Sequence, residues 1–336
     1  METMHLLKTT QDIQRFVRIN LSVMRESFLP YEVDARNKFL VPYLGSELHD
    51  ELLNLYNQSE YPGWATTQAK QGILDKVLYF AQNALAKFTM YLAAPHMDLH
   101  LSEMGFVVTH SQNAAPASAQ RVENARNAFL EGGYDNLETL LRFLESKHAV
   151  IDSYKDSEAF VLEFSNLINS AGEFDSIVPI SKSRLNFITL RSELQDIKNL
   201  VIEPAISPEL FAQLVDQKRS LSLCPDNKKL LALLQKAMAY MALANTMDET
   251  NALSHLSPML TSNKKDLVSR ATLKQARERL LGYGRNYLAG AKKLLDKYPD
   301  KYPLYKNSEQ FAQSDRSRPY ENQEGKVFIF GQPALD

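Results

Sequence analysis

The amino-acid sequence predicts an all-α protein built from two tandem, internally duplicated helical-bundle modules. Two long segments, 73–94 and 230–247, carry apolar residues three and four positions apart, the spacing that lines one face of a helix. Residues 6–22 align with residues 167–183 at a constant offset of 161. A repeat of this length indicates an architecture made of copies of one unit.

The repeat continues downstream in the same order of elements. The offset is 162 around Pro42 and Pro204 and falls to 151 at Gly133 and Gly284, which indicates loops of different length. The alternative is a pair of unrelated helical domains with similar patterns. The duplication predicts a first module at 1–150, a linker with its own short helix at 151–166 and a second module at 167–298.

Helix boundaries are marked at equivalent places in both modules. Thr9 precedes Asp12, and Ser170 precedes Glu173, at the spacing of a helix N-cap with an acidic residue three positions on. The paired glycines Gly132-Gly133 and Gly282-x-Gly284 predict a break between the last two helices of each module.

The composition changes at Tyr298, where Pro, Ser, Gln, Asn and charged residues replace the helical period. We therefore expect residues 299–336 to form an extended C-terminal arm. The arm ends in a β-prone run, which consists of Lys326, Val327, Phe328, Ile329 and Phe330. Because an isolated strand is unstable, this run must pair with its own chain or with a neighbour.

Composition limits the function. The 336 residues are 44% hydrophobic and 23% charged, as in ordinary globular proteins, and a net charge of −2 does not favour bulk wrapping of nucleic acid. Cys224 is the sole cysteine, which excludes an intrachain disulfide framework and fits a reducing compartment. The first residues lack the pattern of a signal peptide. Charged residues interrupt segment 73–94, so we expect a core helix and no membrane partner.

No pattern supports a catalytic, cofactor-binding or metal-binding residue. His96 and His100 have the i, i+4 spacing of zinc ligands, with Glu103 nearby, but Pro95 precedes them and the second module has no histidine there. A solvated helix end is the preferred interpretation, and a metal-dependent enzyme is the least favoured hypothesis. Gly282-Tyr283-Gly284 follows a helix and lacks a third glycine, which favours a turn over a phosphate loop.

Candidate interface residues are aromatic or β-prone. Trp64, the sole tryptophan, lies in a loop and is either a lid over the core or an interface anchor. Phe106, Val107 and Val108 form a short extended run, and the arm residues 326–330 form another. The last two helices have a basic bias, which indicates either a solvated face or contact with an acidic partner or DNA.

The run Val17-Arg18-Ile19-Asn20 and the later run Asp34-Ala35-Arg36-x-x-Phe39-Leu40-Val41-Pro42-Tyr43-Leu44-Gly45 resemble tailed-phage head–tail connector (adaptor) proteins. The second run, the Gly105 turn and Gly133-Tyr134 also resemble uncharacterised phage and prophage proteins of the Bacteroides group. The resemblance covers residues 6–148 and, more faintly, 165–297.

The resemblance implies a structural virion protein. Such a chain assembles in the host bacterial cytoplasm and forms a homo-oligomeric ring at the neck of the virion, between the portal protein and the tail or adaptor proteins. DNA in a central channel would touch the ring transiently. Typical connectors are single modules, so a two-module chain changes the expected number of copies in the ring. The alternative hypothesis is a cytoplasmic helical protein–protein binding module encoded by a prophage.

Overall fold

A computed structural model describes residues 4–18, 27–96, 99–102, 105–108, 118–155, 157–247 and 270–316. Helices dominate these residues, which confirms the predicted all-α class. Within the described ranges, the sheet structure is one antiparallel hairpin of β1 (Leu99–Ser102) and β2 (Gly105–Val108), with Leu99 opposite Val108. No described helix combines the length and the apolar character that a bilayer crossing demands.

The first half forms one core of short helices around a long antiparallel helix pair. Its helices are α1 (Thr10–Gln14), α2 (Leu29–Phe39), α3 (Val41–Leu44), α4 (Ser46–Gln58), α5 (Gln68–Ala93), α6 (Ala119–Lys147), α7 (Asp152–Lys155) and α8 (Glu158–Phe164). Helices α5 and α6 form the pair, and α2 packs against α5. The core extends into α7 and α8, where Tyr154, Phe160 and Phe164 are buried. The predicted linker 151–166 therefore belongs to the first core.

The second half has a core of its own. Its helices are α9 (Ala171–Asp175), α10 (Arg184–Ile197), α11 (Glu203–Ile206), α12 (Pro208–Arg219), α13 (Pro225–Thr246), α14 (Arg270–Lys297), α15 (Pro303–Lys306) and α16 (Glu309–Arg316). Helices α13 and α14 form the long pair, with α10 packed against α13. A π-helical turn at Lys198–Ile202 joins α10 to α11.

Both halves begin with the same hydrogen-bonded turn. Thr9 Oγ1 accepts from the Asp12 backbone N–H at 3.2 Å, and the Asp12 carboxylate accepts from the Lys8 N–H at 2.8 Å. In the second half Ser170 Oγ accepts from the Glu173 N–H at 3.1 Å, and the Glu173 carboxylate accepts from the Asn169 N–H at 2.8 Å. These contacts confirm the two predicted helix starts and satisfy N–H groups that a helix leaves unpaired.

A glutamine from each long helix pair holds the chain just before that turn. Gln82 Nε2 donates to the Leu6 carbonyl oxygen at 2.8 Å, and Gln235 Nε2 donates to the Leu167 carbonyl oxygen at 2.8 Å. Both leucines are fully buried. In each half, the residues before the first turn are therefore buried in the core and hydrogen-bonded to a long central helix.

The turn before α4 and the turn before α12 share an unusual backbone conformation. Gly45 has φ 76° and ψ 161°, and Ser207 has φ 88° and ψ 143°. This region of backbone space is accessible to glycine and costs other residues about 1–3 kcal/mol. The Ser207 side chain offsets part of that cost, because its hydroxyl accepts from the Leu210 N–H at 3.2 Å.

The predicted helix breaks at the paired glycines are wrong. Helices α6 and α14 run continuously through Gly133 and Gly284. A Cβ at Gly133 would lie 2.6 Å from the Phe88 ring, and a Cβ at Gly284 would lie 2.6 Å from the Met241 side chain. These glycines therefore let each pair of long helices approach closely, and they do not end a helix.

The predicted extended arm is wrong for residues 299–316. This stretch forms a 3₁₀ turn at Pro299–Lys301, then α15 and α16. Pro303 occupies the first turn of α15, where its missing N–H costs nothing. Tyr302 and Tyr305 are buried in the second core, and this burial holds the segment against the protein. The predicted strand 326–330 lies outside the described residues.

Candidate interaction surfaces and a buried ion network

A buried ion network joins the two halves of the chain. Arg184, at the start of α10, is 1% exposed. One amino group donates to Glu138 of α6 at 3.1 Å, and the other pairs with Glu163 of α8. Glu163 also pairs with Arg191, and the second oxygen of Glu138 accepts from the Ala171 N–H at 3.0 Å. The acidic groups come from the first half and their partners from the second half.

Arg184 keeps its charge although it is buried. Burial acts to lower the pKa of Arg184, but the carboxylates of Glu163 and Glu138 outweigh it and raise that pKa. Burial and the Glu163 charge also raise the pKa of Tyr43, whose ring centroid lies 5.9 Å from the Arg184 guanidinium carbon. Both shifts favour a charged arginine and a neutral tyrosine.

A second set of cations reinforces the junction. Arg219 Nη2 donates to the Phe164 carbonyl oxygen at 3.2 Å, and its guanidinium carbon lies 4.9 Å from the centre of the Phe160 ring. Lys218 Nζ donates to the Leu167 carbonyl oxygen at 3.1 Å and pairs with Glu173 at 2.9 Å. The end of α12 thus holds the chain where it passes from the first core to the second.

The first half holds its own N-terminal residues with a buried carboxylate. Glu32 is fully buried. One of its carboxylate oxygens lies 2.8 Å from His5 Nδ1, and the other accepts from the Leu6 N–H at 3.1 Å. Arg36 donates to the Met4 carbonyl oxygen at 2.8 Å. These contacts are structural, because they fix the segment before α1 against α2.

A concave surface cleft of about 420 Å³ lies between the α3–α4 turn and helices α7 and α8. Its apolar walls include Val41, Ala159 and Leu162, and its rim carries the carboxylates of Glu47 and Glu158. Leu162 is 57% exposed, which is unusual for a large apolar side chain. The residues that line the cleft include no Lys or Arg. The cleft can accept a side chain or a helix that carries positive charge.

Acidic groups extend beyond the rim of this cleft. Glu51 accepts from Trp64 Nε1 at 2.8 Å and from the Ser153 hydroxyl at 2.6 Å. Burial raises the pKa of Glu51, and the nearby charges of Glu47 and Asp152 add to this effect. The two hydrogen bonds act in the opposite direction and lower the pKa. Glu47 and Glu158 therefore leave an excess of negative charge at the cleft, whereas Asp152 is paired with Lys155 at 2.9 Å.

The long helix pair of the second half has the opposite charge. Helices α13 and α14 carry eleven basic and three acidic residues, whereas α5 and α6 carry seven basic and six acidic residues. Between Glu278 and Asp296, α14 has no acidic residue. We call Arg279, Arg285, Lys292 and Lys293 the basic stripe; each is exposed or half-buried. Within the described part of the chain, none of the four forms an ion pair.

The predicted interface residues lie in different places. Trp64 is half-buried against the first core with its N–H satisfied, as expected of a lid, and its use as an interface anchor stays a prediction. Phe106, Val107 and Val108 lie in β2 of the hairpin. Residues 326–330 lie outside the described ranges. The structure therefore does not bring these predicted residues into one site.

The histidine pair does not share a helix face. His96 ends a 3₁₀ turn and its ring stacks on Tyr31 with centroids 5.6 Å apart, while His100 lies in β1. Among the described side chains, no group of three His, Cys, Asp or Glu residues is placed to hold a metal ion.

Sequence reasoning missed the ion network and the cleft. Arg184 and Glu138 are 46 positions apart, and no local pattern links them. The cleft residues are separated by more than a hundred positions.

Fold and contacts define a class: an all-α protein with two helical cores that meet through a buried ion network. The model of a family described as "Family of unknown function (DUF6712)" matches residues 40–161 and 202–314. These ranges cover more than half of the chain, so the chain belongs to this family. No curated protein and no solved structure matches it.

Proposed function

We propose that the chain is an internal duplication of one helical module. Three pairs of contacts at matching positions support this: the first-turn caps, the glutamine-to-leucine hydrogen bonds and the close approaches at Gly133 and Gly284. The Tyr154–Phe160 and Tyr305–Phe311 ring pairs add a fourth, with centroids 5.5 and 5.7 Å apart. The family model also matches one range in each half.

We further propose that the duplicated chain is a structural virion protein, a head–tail connector that forms a ring between portal and tail. The observation that carries this proposal is the ion network at Arg184. Buried ion pairs add little net stability, but they can specify one geometry. A ring closes only when every copy presents its faces at the same angle. A network that fixes the two modules to each other meets that requirement.

In this proposal the protein acts by packing and not by catalysis. Its partners are copies of itself, the portal protein and tail or adaptor proteins, with transient contact to DNA in the channel. The β1–β2 hairpin would accept a strand from a neighbour, and residues 326–330 are the segment of this chain suited to it. Strand addition to an exposed sheet edge is a common mode of protein recognition.

The experiment is a measurement of mass and shape on the purified full-length chain. Light scattering and negative-stain imaging should give a closed ring of several copies, and an antibody should label the neck of virions. A chain that stays monomeric over the accessible concentration range, and that is absent from particles, would contradict the proposal.

The basic stripe favours a second candidate, a prophage-encoded binding module that remains monomeric. Such a protein would use α14 to hold an acidic protein partner in the host cytoplasm. Mass measurement separates the two candidates, because only the connector forms a ring of its own copies.

A further inference from the structure

We propose that copies of this chain join head to tail, with the basic stripe of one copy docked on the acidic-rimmed cleft of the next. This inference rests on the proposed ring. It names the two surfaces that build the ring, which neither the fold nor the family membership specifies.

The stripe has the character of a docking surface. Arg279 and Lys293 are 14 residues apart on one helix, a length of about 21 Å at 1.5 Å per residue. Tyr283 lies one turn from Arg279 and is 45% exposed, which adds an aromatic anchor beside the charges. Aromatic residues and arginine are the types enriched in protein interfaces.

The stripe is a property of the second half alone. At the offset of 151, three of its four cations have uncharged counterparts in α6, namely Ala128, Tyr134 and Leu141. Helix α6 packs against α10 inside the chain, where Glu138 binds Arg184, and Leu141 of the same helix is buried. The equivalent surface of α14 is solvent-exposed and basic, so it is suited to a partner outside the chain.

The cleft is complementary to the stripe in charge. It is concave, and its rim carries the exposed carboxylates of Glu47 and Glu158. Leu162 and its neighbour Val161, at 57% and 52% exposure, supply apolar area for the centre of a contact. Opposite potentials on facing surfaces steer association and fix register.

A second copy explains these features better than a nucleic acid does. Helices α13 and α14 hold an excess of eight positive charges, yet the whole chain has a net charge of −2. The stripe is also bounded by Glu278 and Asp296, whereas duplex DNA offers phosphates over a much longer track. Because the two surfaces are different patches of the same chain, their contact is heterologous, the type that generates rings.

The test is a charge swap in the full-length chain. One variant carries Arg285→Glu and Lys293→Glu in the stripe, and the other carries Glu47→Lys and Glu158→Lys at the cleft. All four side chains are exposed, so circular dichroism should match the parent protein. Each variant alone places like charges face to face, and its association should weaken by at least about tenfold.

Mixing the two variants in equal amounts should restore assembly, because every stripe then meets a cleft of opposite charge. A matched control reverses two exposed cations of the first half, Lys76→Glu and Arg142→Glu, and should assemble as the parent does. Both variants assembling normally, or a mixture that stays dissociated, would overturn the inference while leaving the ring intact.

Two other outcomes are separable. A parent protein that is monomeric would defeat the proposed ring itself. Stripe reversal that leaves assembly unchanged but abolishes salt-dependent binding to a random-sequence DNA duplex would overturn self-docking in favour of a DNA contact.

Discussion

Gly133 makes a sharp prediction about how the long helices pack. The residue lies within α6 and faces Phe88 of α5, whose ring is fully buried and stacks on Phe39 with centroids 4.4 Å apart. An added Cβ would lie 2.6 and 2.7 Å from two ring carbons, distances that real Cβ atoms essentially never show. The ring has no space to retreat, so Gly133→Ala must shift α6 or α5.

The magnitude follows from two opposing terms. Replacing glycine by alanine inside a helix gains about 1 kcal/mol from propensity. Overpacking a well-filled core costs about 1–3 kcal/mol, and a pinned aromatic ring belongs at the upper end. We therefore expect Gly133→Ala to lower the free energy of unfolding by about 2 kcal/mol. Gly282→Ala is the matched control in α14: a Cβ there meets nothing within 4 Å, so it should raise stability by about 1 kcal/mol.

The assay is urea unfolding followed by far-UV circular dichroism, with the fluorescence of Trp64 as a separate probe of the first core. The two substitutions should move the midpoint in opposite directions. If Gly133→Ala is as stabilising as Gly282→Ala, the close approach of α5 and α6 described here is incorrect.

Three further predictions concern other contacts. Arg184→Met leaves Glu163 with Arg191 alone and should lower the free energy of unfolding in urea by about 3 kcal/mol. The control Lys301→Met, at an exposed ion pair, should lower it by under about 1 kcal/mol; equal losses would refute the buried network. Ser207→Gly removes the cost of a positive φ and also loses the hydrogen bond of one helix cap. The net free energy of unfolding should increase by about 1 kcal/mol, which a higher Tm would show; a lower Tm would argue against backbone strain at Ser207. Burial lowers the pKa of His49 below 6.5, so the unfolded chain binds the proton more readily than the folded chain does, and Tm should fall as the pH drops below 6.5. In His49→Gln this fall in Tm should be smaller; a pH profile of Tm equal to that of the parent would contradict the role of His49.

The helical periodicity and the cap residues were sufficient to predict the main helices. Thr9 and Ser170 sit at helix starts because the signal is local: a hydroxyl and an acid within one turn satisfy the free N–H groups. Segments 73–94 and 230–247 lie in α5 and α13 except for their last residues, because their apolar spacing extends over five or more turns.

Glycine and proline misled the prediction where tertiary contacts decide. The glycine pair at Gly133 is typical of a turn, but the lack of a side chain at this position lets the Phe88 ring pack against α6. Residues 299–316 have the composition of an arm, but burial of Tyr302 and Tyr305 in the second core stabilises short helices there. Both errors arise because local sequence does not reveal what lies across the core.

The interaction surfaces were predicted only in part. The basic bias of α14 is visible in the sequence, since the residues follow one another on one helix. The cleft combines residues near position 45 with residues near position 158, and only the folded chain brings them together. The Arg184 network also depends on the folded chain, because Glu138 lies in α6, Glu163 in α8, and both arginines in α10.

The ring proposal has its sharpest test in the mass of the purified full-length chain. Multi-angle light scattering, combined with imaging of the same sample, reports copy number and shape together. A connector should form a single closed ring whose mass is a fixed multiple of 38.2 kDa. A mass of 38.2 kDa at every concentration, with no ring in the images, would contradict it.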